Sequence, residues 1–278
     1  MRPTAADPVR PGSLQGGAIE ALLTRDPDLK AEKARLLAAT WAGRGLSLRG
    51  AGRVFLPERP GRPEKPLLVA PGKAPKRGIG SPKGRIALVH SICHIELNAI
   101  DLALDIVARF ATQPMPRSFF DGWMTVAAEE AKHFRLLRAR LQALGADYGD
   151  VPAHDGLWEA ARETGHDLTA RLALVPLVLE ARGLDVTPSL IEAFEREKDE
   201  RTAAVLRIIY EDEKGHVAVG AKWFRFLCRR DGREPGEAFR ELVRKHFRAP
   251  LKPPFNDRAR ASSGLTPGFY RTLSPLGN

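Results

Sequence analysis

The chain has 278 residues, 43% of them hydrophobic and 28% charged, which is the composition of a globular protein with a full-sized core. Its two cysteines, Cys93 and Cys228, form no CxxC pair, so the sequence indicates neither a disulfide framework nor a cysteine-ligated zinc site. No run approaches the roughly 18 uninterrupted apolar residues of a membrane span, and the N-terminus lacks the apolar segment of a signal peptide. We therefore expect a cytoplasmic protein without membrane contact.

Positive charge is concentrated towards the two ends of the chain, and the net charge of the whole is +10. Residues 1–80 carry a net charge of +8, residues 81–228 of −4, and residues 229–278 of +6. Basic extensions of this kind attract polyanions such as RNA over long distances. A solvated, arginine-rich surface without any partner explains the same pattern, so both interpretations stay open.

The predicted elements begin with a helix over residues 16–45, for which Asp28 is a candidate N-cap. Residues 59–85, the strap, are dense in Pro, Gly and Lys. Proline lacks a backbone N–H and fixes its own φ, so this segment predicts an extended strap rather than a helix or a central strand.

Longer helical patterns follow the strap and predict helices over about 83–112, 116–144 and 156–182. Gly183 is expected to end the third of these helices. Pro176 falls inside it and is expected to kink its axis one turn before a glutamate at position 180.

A short helix after residue 189 and a long helix over about 198–228 complete the pattern, and the tail beyond residue 249 is predicted to be irregular. No segment alternates with the period of two that a sheet requires. The sequence therefore predicts an all-α protein with an up-down four-helix bundle. It divides the chain into an N-terminal helix with the basic strap (1–82), the bundle (83–228) and a basic C-terminal extension (229–278).

Two Glu-x-x-His motifs, Glu130–His133 and Glu213–His216, lie near the centres of predicted long helices. Residues three apart lie on one face of a helix, so the glutamate and the histidine of each motif can bind the same ion. A single tetrapeptide of this kind is weak evidence, because such motifs arise often by chance.

An isolated glutamate precedes each motif by a similar interval: Glu96 lies 34 residues before Glu130, and Glu180 lies 33 residues before Glu213. Both isolated glutamates lie on apolar helix faces, where an unpaired carboxylate costs several kcal/mol. The repeated order predicts two metal ions bound by Glu96, Glu130, His133, Glu180, Glu213 and His216. Four carboxylates and two imidazoles suit a pair of iron or manganese ions; we expect iron, with manganese or a mixed pair as the alternatives. Buried salt bridges are the competing interpretation.

Three neighbouring residues extend the predicted site. A metal-bound histidine normally donates its second N–H to an acceptor such as a carboxylate, and Glu129 and Asp212 each directly precede a glutamate of a motif. We predict that they orient the two histidines in a crossed manner between the helices, although ordinary surface acids would look the same. Tyr210 lies one turn before Glu213 and is a candidate redox-active tyrosine, with a packing aromatic as the favoured interpretation.

Other polar residues are predicted to lie outside the ligand set. His90 and His94 share no helix face with the isolated glutamate that follows them. His166 is two heptads before the second isolated glutamate, so a core or substrate-tunnel position is expected. Asp101 and Asp185 each follow an isolated glutamate by five residues and are expected to form interhelical hydrogen bonds.

Four segments, HIELNAIDLALD, AAEEAKHFRLLRARL, AHDGLWEAARETGHDLTARLALVPLVLEARGLDVTP and YEDEKGHVAVGAKWFRFLC, resemble an uncharacterised bacterial ferritin-like family. The resemblance covers residues from about 10 to 250, including PGRPEKP of the strap. It implies a di-metal carboxylate bundle, and the reaction of the family is unassigned. The wider ferritin-like superfamily includes ferritins, rubrerythrins, manganese catalases and a hydroxylase of a modified tRNA adenosine.

These observations favour a di-iron oxidase or hydroxylase that uses O₂ and an unknown small or RNA substrate. Iron handling by a ferroxidase, or detoxification of peroxide by a catalase-like or rubrerythrin-like protein, are the alternatives. A storage cage requires many subunits to pack closely, and the Pro-rich extensions make such packing less favourable. In an enzyme, the same extensions could shape a substrate pocket. A homodimer is compatible with the sequence.

Overall fold

The computed structural model describes residues 12–50, 54–70, 73, 75, 78–247 and 249–275, and the regular elements of these residues are all helical. The α-helices are α1 (Leu14–Leu23), α2 (Pro27–Ala42), α3 (Pro82–Arg109), α4 (Arg117–Ala143), α5 (Gly156–Glu163), α6 (Leu168–Leu174), α7 (Ala181–Arg196), α8 (Glu200–Arg230), α9 (Pro235–His246), α10 (Asp257–Ser262) and α11 (Pro267–Tyr270). A π-helix (Val175–Glu180) joins α6 to α7, and a short 3₁₀ turn (Arg271–Leu273) follows α11. The predicted all-α class is confirmed for the described residues.

Most of the longer helices begin at a short polar side chain that accepts a backbone N–H of the first turn. Ser81 caps α3 by accepting from Gly84, and Asp199 caps α8 by accepting from Thr202. The N-cap of α2 is Asp26, so the prediction of Asp28 is wrong. Pro27 follows the cap at the first helical position, where a missing N–H costs nothing, and this moves the start of the helix.

Three boundary predictions are wrong. The helix predicted over 16–45 is two helices, because the chain is extended at Thr24 and restarts at the Asp26 cap. The helix predicted over 156–182 is broken by a turn after Glu163 and by the π-helix. Gly183 does not end a helix, because α7 continues through it to Arg196. The packing of α7 on α8 outweighs the low helix propensity of glycine.

The C-terminal extension is also more regular than predicted. It contains α9, α10 and α11, and the residues that these helices bury are mainly apolar. Phe239 packs edge-on against Phe224 of α8, and Phe269 lies beside both rings. The apolar residues of the extension therefore order it against the end of α8, which the density of Pro and Arg did not suggest.

The helices form two packed pairs that meet along α4 and α8. Helix α3 packs against α4, α7 packs against α8, and α4 contacts α8 between the pairs. Gly122 of α4 allows this approach, because a Cβ there would stand 3.2 Å from Val219 Cγ1. Helices α1 and α2 cover the outer faces of α3 and α4. The central interior is where the predicted ligands lie.

Helix α3 is the one described helix long and apolar enough to cross a membrane by length and composition. In the protein, 72% of its most apolar 18-residue window is buried, and its buried face carries Asp101 and Asp105. This burial is consistent with a core helix of a soluble protein.

Both basic extensions are attached to the helices by buried ion pairs. Asp101 of α3 contacts the ammonium of Lys30 on α2, and its other oxygen lies 3.1 Å from Arg62 Nη1 in the strap. Asp185 of α7 accepts from Arg260 Nη2 at 2.6 Å. The two aspartates that follow the isolated glutamates therefore bind residues from opposite ends of the chain.

Candidate metal centre

The six predicted ligands come from four helical segments. Helix α3 supplies Glu96, α4 supplies Glu130 and His133, the last residue of the π-helix is Glu180, and α8 supplies Glu213 and His216. Five of the six residues are buried, and Glu130 and His133 have no exposed surface. Glu180 is partly exposed as a residue, but its Oε2 has no solvent contact.

Four of these residues form a compact cluster that could hold a metal ion. One ligand atom from each of Glu96, Glu130, His133 and Glu213 lies within 4.8 Å of the others. His133 Nδ1 lies 3.2 Å from Glu96 Oε2 and 3.3 Å from Glu130 Oε2. Carboxylate oxygens and an imidazole nitrogen at this spacing are suitable ligands for a divalent transition metal.

The carboxylate of Glu130 lies between the two histidines. Its Oε2 faces His133, and its Oε1 is 2.9 Å from Nδ1 of His216. The two imidazole rings have centroids 5.7 Å apart. A carboxylate in this position can share its two oxygens between two neighbouring ions, which is the bridging role that di-metal bundles require.

Several buried atoms of the predicted ligands have no hydrogen-bond partner among the described residues. They are Glu130 Oε1, Glu180 Oε2, Glu213 Oε2 and His216 Nδ1. Glu130 Oε1 and His216 Nδ1 are close to each other but are not aligned for a hydrogen bond. Buried polar atoms left unpaired are costly, and a bound cation satisfies carboxylate oxygens and an imidazole nitrogen together. The residues present therefore fit a metal site.

The second nitrogen of each histidine contacts a carboxylate on the other Glu-x-x-His helix. His133 Nε2 lies 2.9 Å from Asp212 Oδ2, and His216 Nε2 lies 2.8 Å from Glu129 Oε2. In a neutral ring whose Nε2 donates to a carboxylate, Nδ1 keeps a lone pair that could bind an ion. Without an ion, the surrounding carboxylates raise the pKa of both histidines although burial opposes it, so the rings are protonated. The additional contact between Lys132 and Asp212 could not be predicted from the sequence, because a lysine inside a motif cannot be told from any other exposed lysine.

Burial and mutual repulsion set the protonation of the cluster. Burial raises the pKa of Glu96 and Glu180 well above the ordinary value, and neighbouring carboxylates raise it further. Burial also opposes the ionisation of Glu130, but the two histidines overcome it and hold its pKa below the ordinary range. Burial disfavours the charged form of His133, yet hydrogen bonds to Glu130 and Glu96 raise its pKa to about 11. Without a bound cation, the cluster therefore avoids excess negative charge by keeping protons on Glu96 and Glu180 and on the histidines.

Tyr210 and His166 both lie outside the four-residue cluster: Tyr210 contacts the C-terminal extension, and His166 is exposed to solvent. The hydroxyl oxygen of Tyr210 accepts from Nδ2 of Asn256 at 3.1 Å, which joins the extension to the ligand-bearing helix α8. His166 is exposed in the turn between α5 and α6, so its predicted core or tunnel position is wrong. The error follows from the break after Glu163, which removes the helix on which that position was counted.

His90 and His94 contact the loop between α4 and α5. Tyr148 stacks on both rings, and its hydroxyl lies 2.8 Å from His94 Nδ1. The N–H of Gly149 donates to His90 Nε2 at 2.9 Å. Burial lowers the pKa of His90 to about 4 and that of His94 to about 3, so both rings are neutral at neutral pH.

A groove of about 550 Å³ lies between α2 and α4. Arg35, Arg44 and Arg117 line it, together with the indole of Trp41, over which the Arg117 guanidinium lies at 3.6 Å. Glu129 also lines the groove, and the same carboxylate contacts His216. The groove therefore extends to the outer side of the ligand cluster.

The comparison with protein-family models identifies the family of this chain. The model of the family described as "Protein of unknown function (DUF455)" matches residues 23–271. The chain belongs to the DUF455 family. A protein of Haemophilus influenzae described as "Uncharacterized protein" is 44% identical over 209 residues, which is 73% of each chain. No solved structure matches the chain. The DUF455 match covers all six predicted ligands and both carboxylates that contact the histidines.

Proposed function

We propose that this chain is a ferritin-like four-helix bundle that binds two metal ions, iron in the first place, and uses them to activate O₂ for the oxidation of a substrate. The position of the Glu130 carboxylate between His133 and His216 carries this proposal. The unpaired buried ligand atoms support it, because a hydrogen-bonded structural network would leave no such atoms.

In this proposal Glu96 and the Glu130–His133 pair bind one ion, and Glu180 and the Glu213–His216 pair bind the other. Such a pair of reduced metal ions supplies electrons and open positions for O₂ when it is bound. The protein contributes the geometry: Asp212 and Glu129 hold the imidazoles with Nδ1 directed inward. The buried surroundings exclude water that would compete with the substrate.

An enzyme is favoured over a storage cage by the contacts of the extensions. Arg260 is 2% exposed and binds Asp185, and Asn256 binds Tyr210, so the C-terminal extension covers faces of α7 and α8. Those faces are therefore not available for the packing of neighbouring bundles. Storage would require a closed shell of many subunits.

The test is anaerobic loading with Fe(II) followed by measurement of O₂ consumption. We expect a stoichiometric uptake of O₂ by the wild-type protein and a loss of most of it in Glu130→Ala. The matched control is Glu159→Gln, an exposed carboxylate of α5 that should leave the uptake unchanged. A wild-type protein that binds Fe(II) but consumes no O₂ would rule out the oxygen-activating function.

The most specific version of this proposal is that the substrate is a polyanion such as RNA. Lys30, Arg62 and Arg260 bind aspartates internally, so only the remaining basic residues could meet a polyanion. Among these, Arg44 has no ion pair with the described residues and lines the groove. We expect Arg44→Glu to weaken the binding of total tRNA at low salt, with Arg196→Glu on α7 as the control. Unchanged modified nucleosides in tRNA from a deletion strain would argue against an RNA substrate.

A further inference from the structure

A second group of potential metal ligands lies away from the central cluster, where α9 packs on α6. Its central residue is His246, at the C-terminal end of α9. The side chain of His246 is only 4% exposed, yet neither ring nitrogen has a hydrogen-bond partner among the described residues. A buried imidazole with two unpaired nitrogens is costly, and binding a ligand would remove that cost.

Two further potential ligands face this ring. Glu163 Oε1 lies 3.6 Å from His246 Nδ1, which is too far for a hydrogen bond but close enough for both atoms to reach one ion. The ring of His166 has its centroid 5.9 Å from that of His246, at an angle of 55°. Two imidazoles that bind one tetrahedral zinc ion at about 2.0–2.1 Å have centroids roughly 5–6 Å apart.

Glu163 and His166 repeat the Glu-x-x-His spacing of the central motifs, but they lie at the end of α5 and in the turn that follows it. Both are exposed, so their side chains have room to turn towards the buried ring. That rotation is needed, because among the described residues only the central cluster has its ligand atoms already within 4.8 Å.

We propose that Glu163, His166 and His246 bind one divalent ion of the zinc class at this junction. Two imidazoles and one carboxylate form a ligand set that zinc accepts, with a fourth position left for water. The ion would connect the C-terminal extension to the turn between α5 and α6. This site is independent of the proposed oxygen chemistry, because none of its three residues belongs to the central cluster.

The test is calorimetric titration of the metal-free protein with Zn²⁺, together with Co²⁺ titration followed by visible absorption. We expect His166→Gln and His246→Gln each to bind one Zn²⁺ fewer than the wild type, or to bind that equivalent at least tenfold more weakly. Glu159→Gln, on the same helix as Glu163, is the matched control and should keep the wild-type number.

His166→Gln decides the outcome if the buried His246→Gln fails to fold, because an exposed turn residue can be replaced without disturbing the core. An equal number of Zn²⁺ ions with equal affinity in the wild type and in His166→Gln would overturn the proposal. A Zn²⁺ difference confined to Glu130→Ala would assign the metal to the central cluster alone and would also overturn it.

Discussion

At the scale of single residues, the cluster depends on pairs in which a carboxylate on one helix contacts a histidine on the other. Asp212 contacts His133, and Glu129 contacts His216. Each carboxylate is one residue before a glutamate of a motif, so the same helical turn supplies a ligand to the interior and a partner for the opposite histidine. The Glu-x-x-His helices are therefore joined twice, once on each side of the cluster.

We predict that Asp212→Asn and Glu129→Gln weaken metal binding by about 10–100-fold while the fold is kept, because the histidines lose the carboxylates that orient them. Competition with a coloured chelator measures the affinity. Glu211→Gln, an exposed neighbour whose carboxylate pairs with Lys214, is the control and should bind metal as the wild type does. Wild-type affinity in both test variants would show that the two carboxylates are only surface acids.

A second residue-scale prediction concerns pH and His90. Burial lowers its pKa to about 4 in the folded protein, whereas the unfolded chain has the ordinary value of about 6.5. The stability that the neutral ring contributes is therefore complete above pH 6.5 and is lost as the pH falls towards 4. Between pH 7.5 and 5.0 the metal-free wild type should lose about 1–2 kcal/mol more unfolding free energy than His90→Gln. Urea titrations measure this difference, and parallel losses would contradict it.

At the scale of elements, the π-helix ends at Glu180, whose carboxylate interacts electrostatically with those of Glu213 and Glu130. Pro176 lies in it and lacks the N–H that an α-helix would use, and π-helices occur often at functional sites. Gly220 of α8 faces this proline, and a Cβ on Gly220 would stand 2.4 Å from Pro176 Cβ. The close approach of α8 to the π-helix therefore requires glycine at this position.

We predict that Gly220→Ala destabilises the metal-free protein by about 1–3 kcal/mol and weakens metal binding, because it separates α8 from the π-helix. Gly215→Ala is the matched control on the same helix: a Cβ there meets nothing within 4 Å, and alanine favours a helix. Thermal unfolding of both variants measures the effect. A Gly220→Ala protein as stable as the control would show that the contact carries no weight.

The sequence predicted the central parts of α3, α4 and α8, which carry predicted ligands, because these long helices bury regular apolar faces. The spacing of Glu130 and His133 also follows from a single helix, so it could be predicted without the structure. The π-helix could not be predicted in this way, because its only signal in the sequence is Pro176, which predicts a kink. The partner of Pro176 is 44 residues away at Gly220 and leaves no local signal.

At the scale of the whole molecule, buried ion pairs attach the ends of the chain to helices that carry predicted ligands. Lys30 and Asp101 are almost fully buried, and burial lowers the pKa of Lys30 although Asp101 partly compensates. The composition indicated basic extensions but could not show which cations are used internally. The charge pattern predicted basic surfaces at both ends of the chain, whereas some of these cations, such as Lys30, are buried in ion pairs.

We predict that Asp101→Asn destabilises the protein by about 3–5 kcal/mol, because it leaves the ammonium of Lys30 buried without a counter-charge. Glu20→Gln removes the exposed partner of Lys33 and should cost no more than about 1 kcal/mol. Denaturant unfolding compares the two variants. Equal and small losses would mean that the buried pair does not hold the N-terminal helices in place.

Anomalous diffraction at the iron edge from Fe(II)-loaded crystals would show whether two metal ions lie between the four helical segments. We expect two anomalous peaks about 3.5–4 Å apart, one on each side of the Glu130 carboxylate, with His133 beside one and His216 beside the other. A single peak at this position, or none while the crystals contain iron elsewhere, would contradict this expectation.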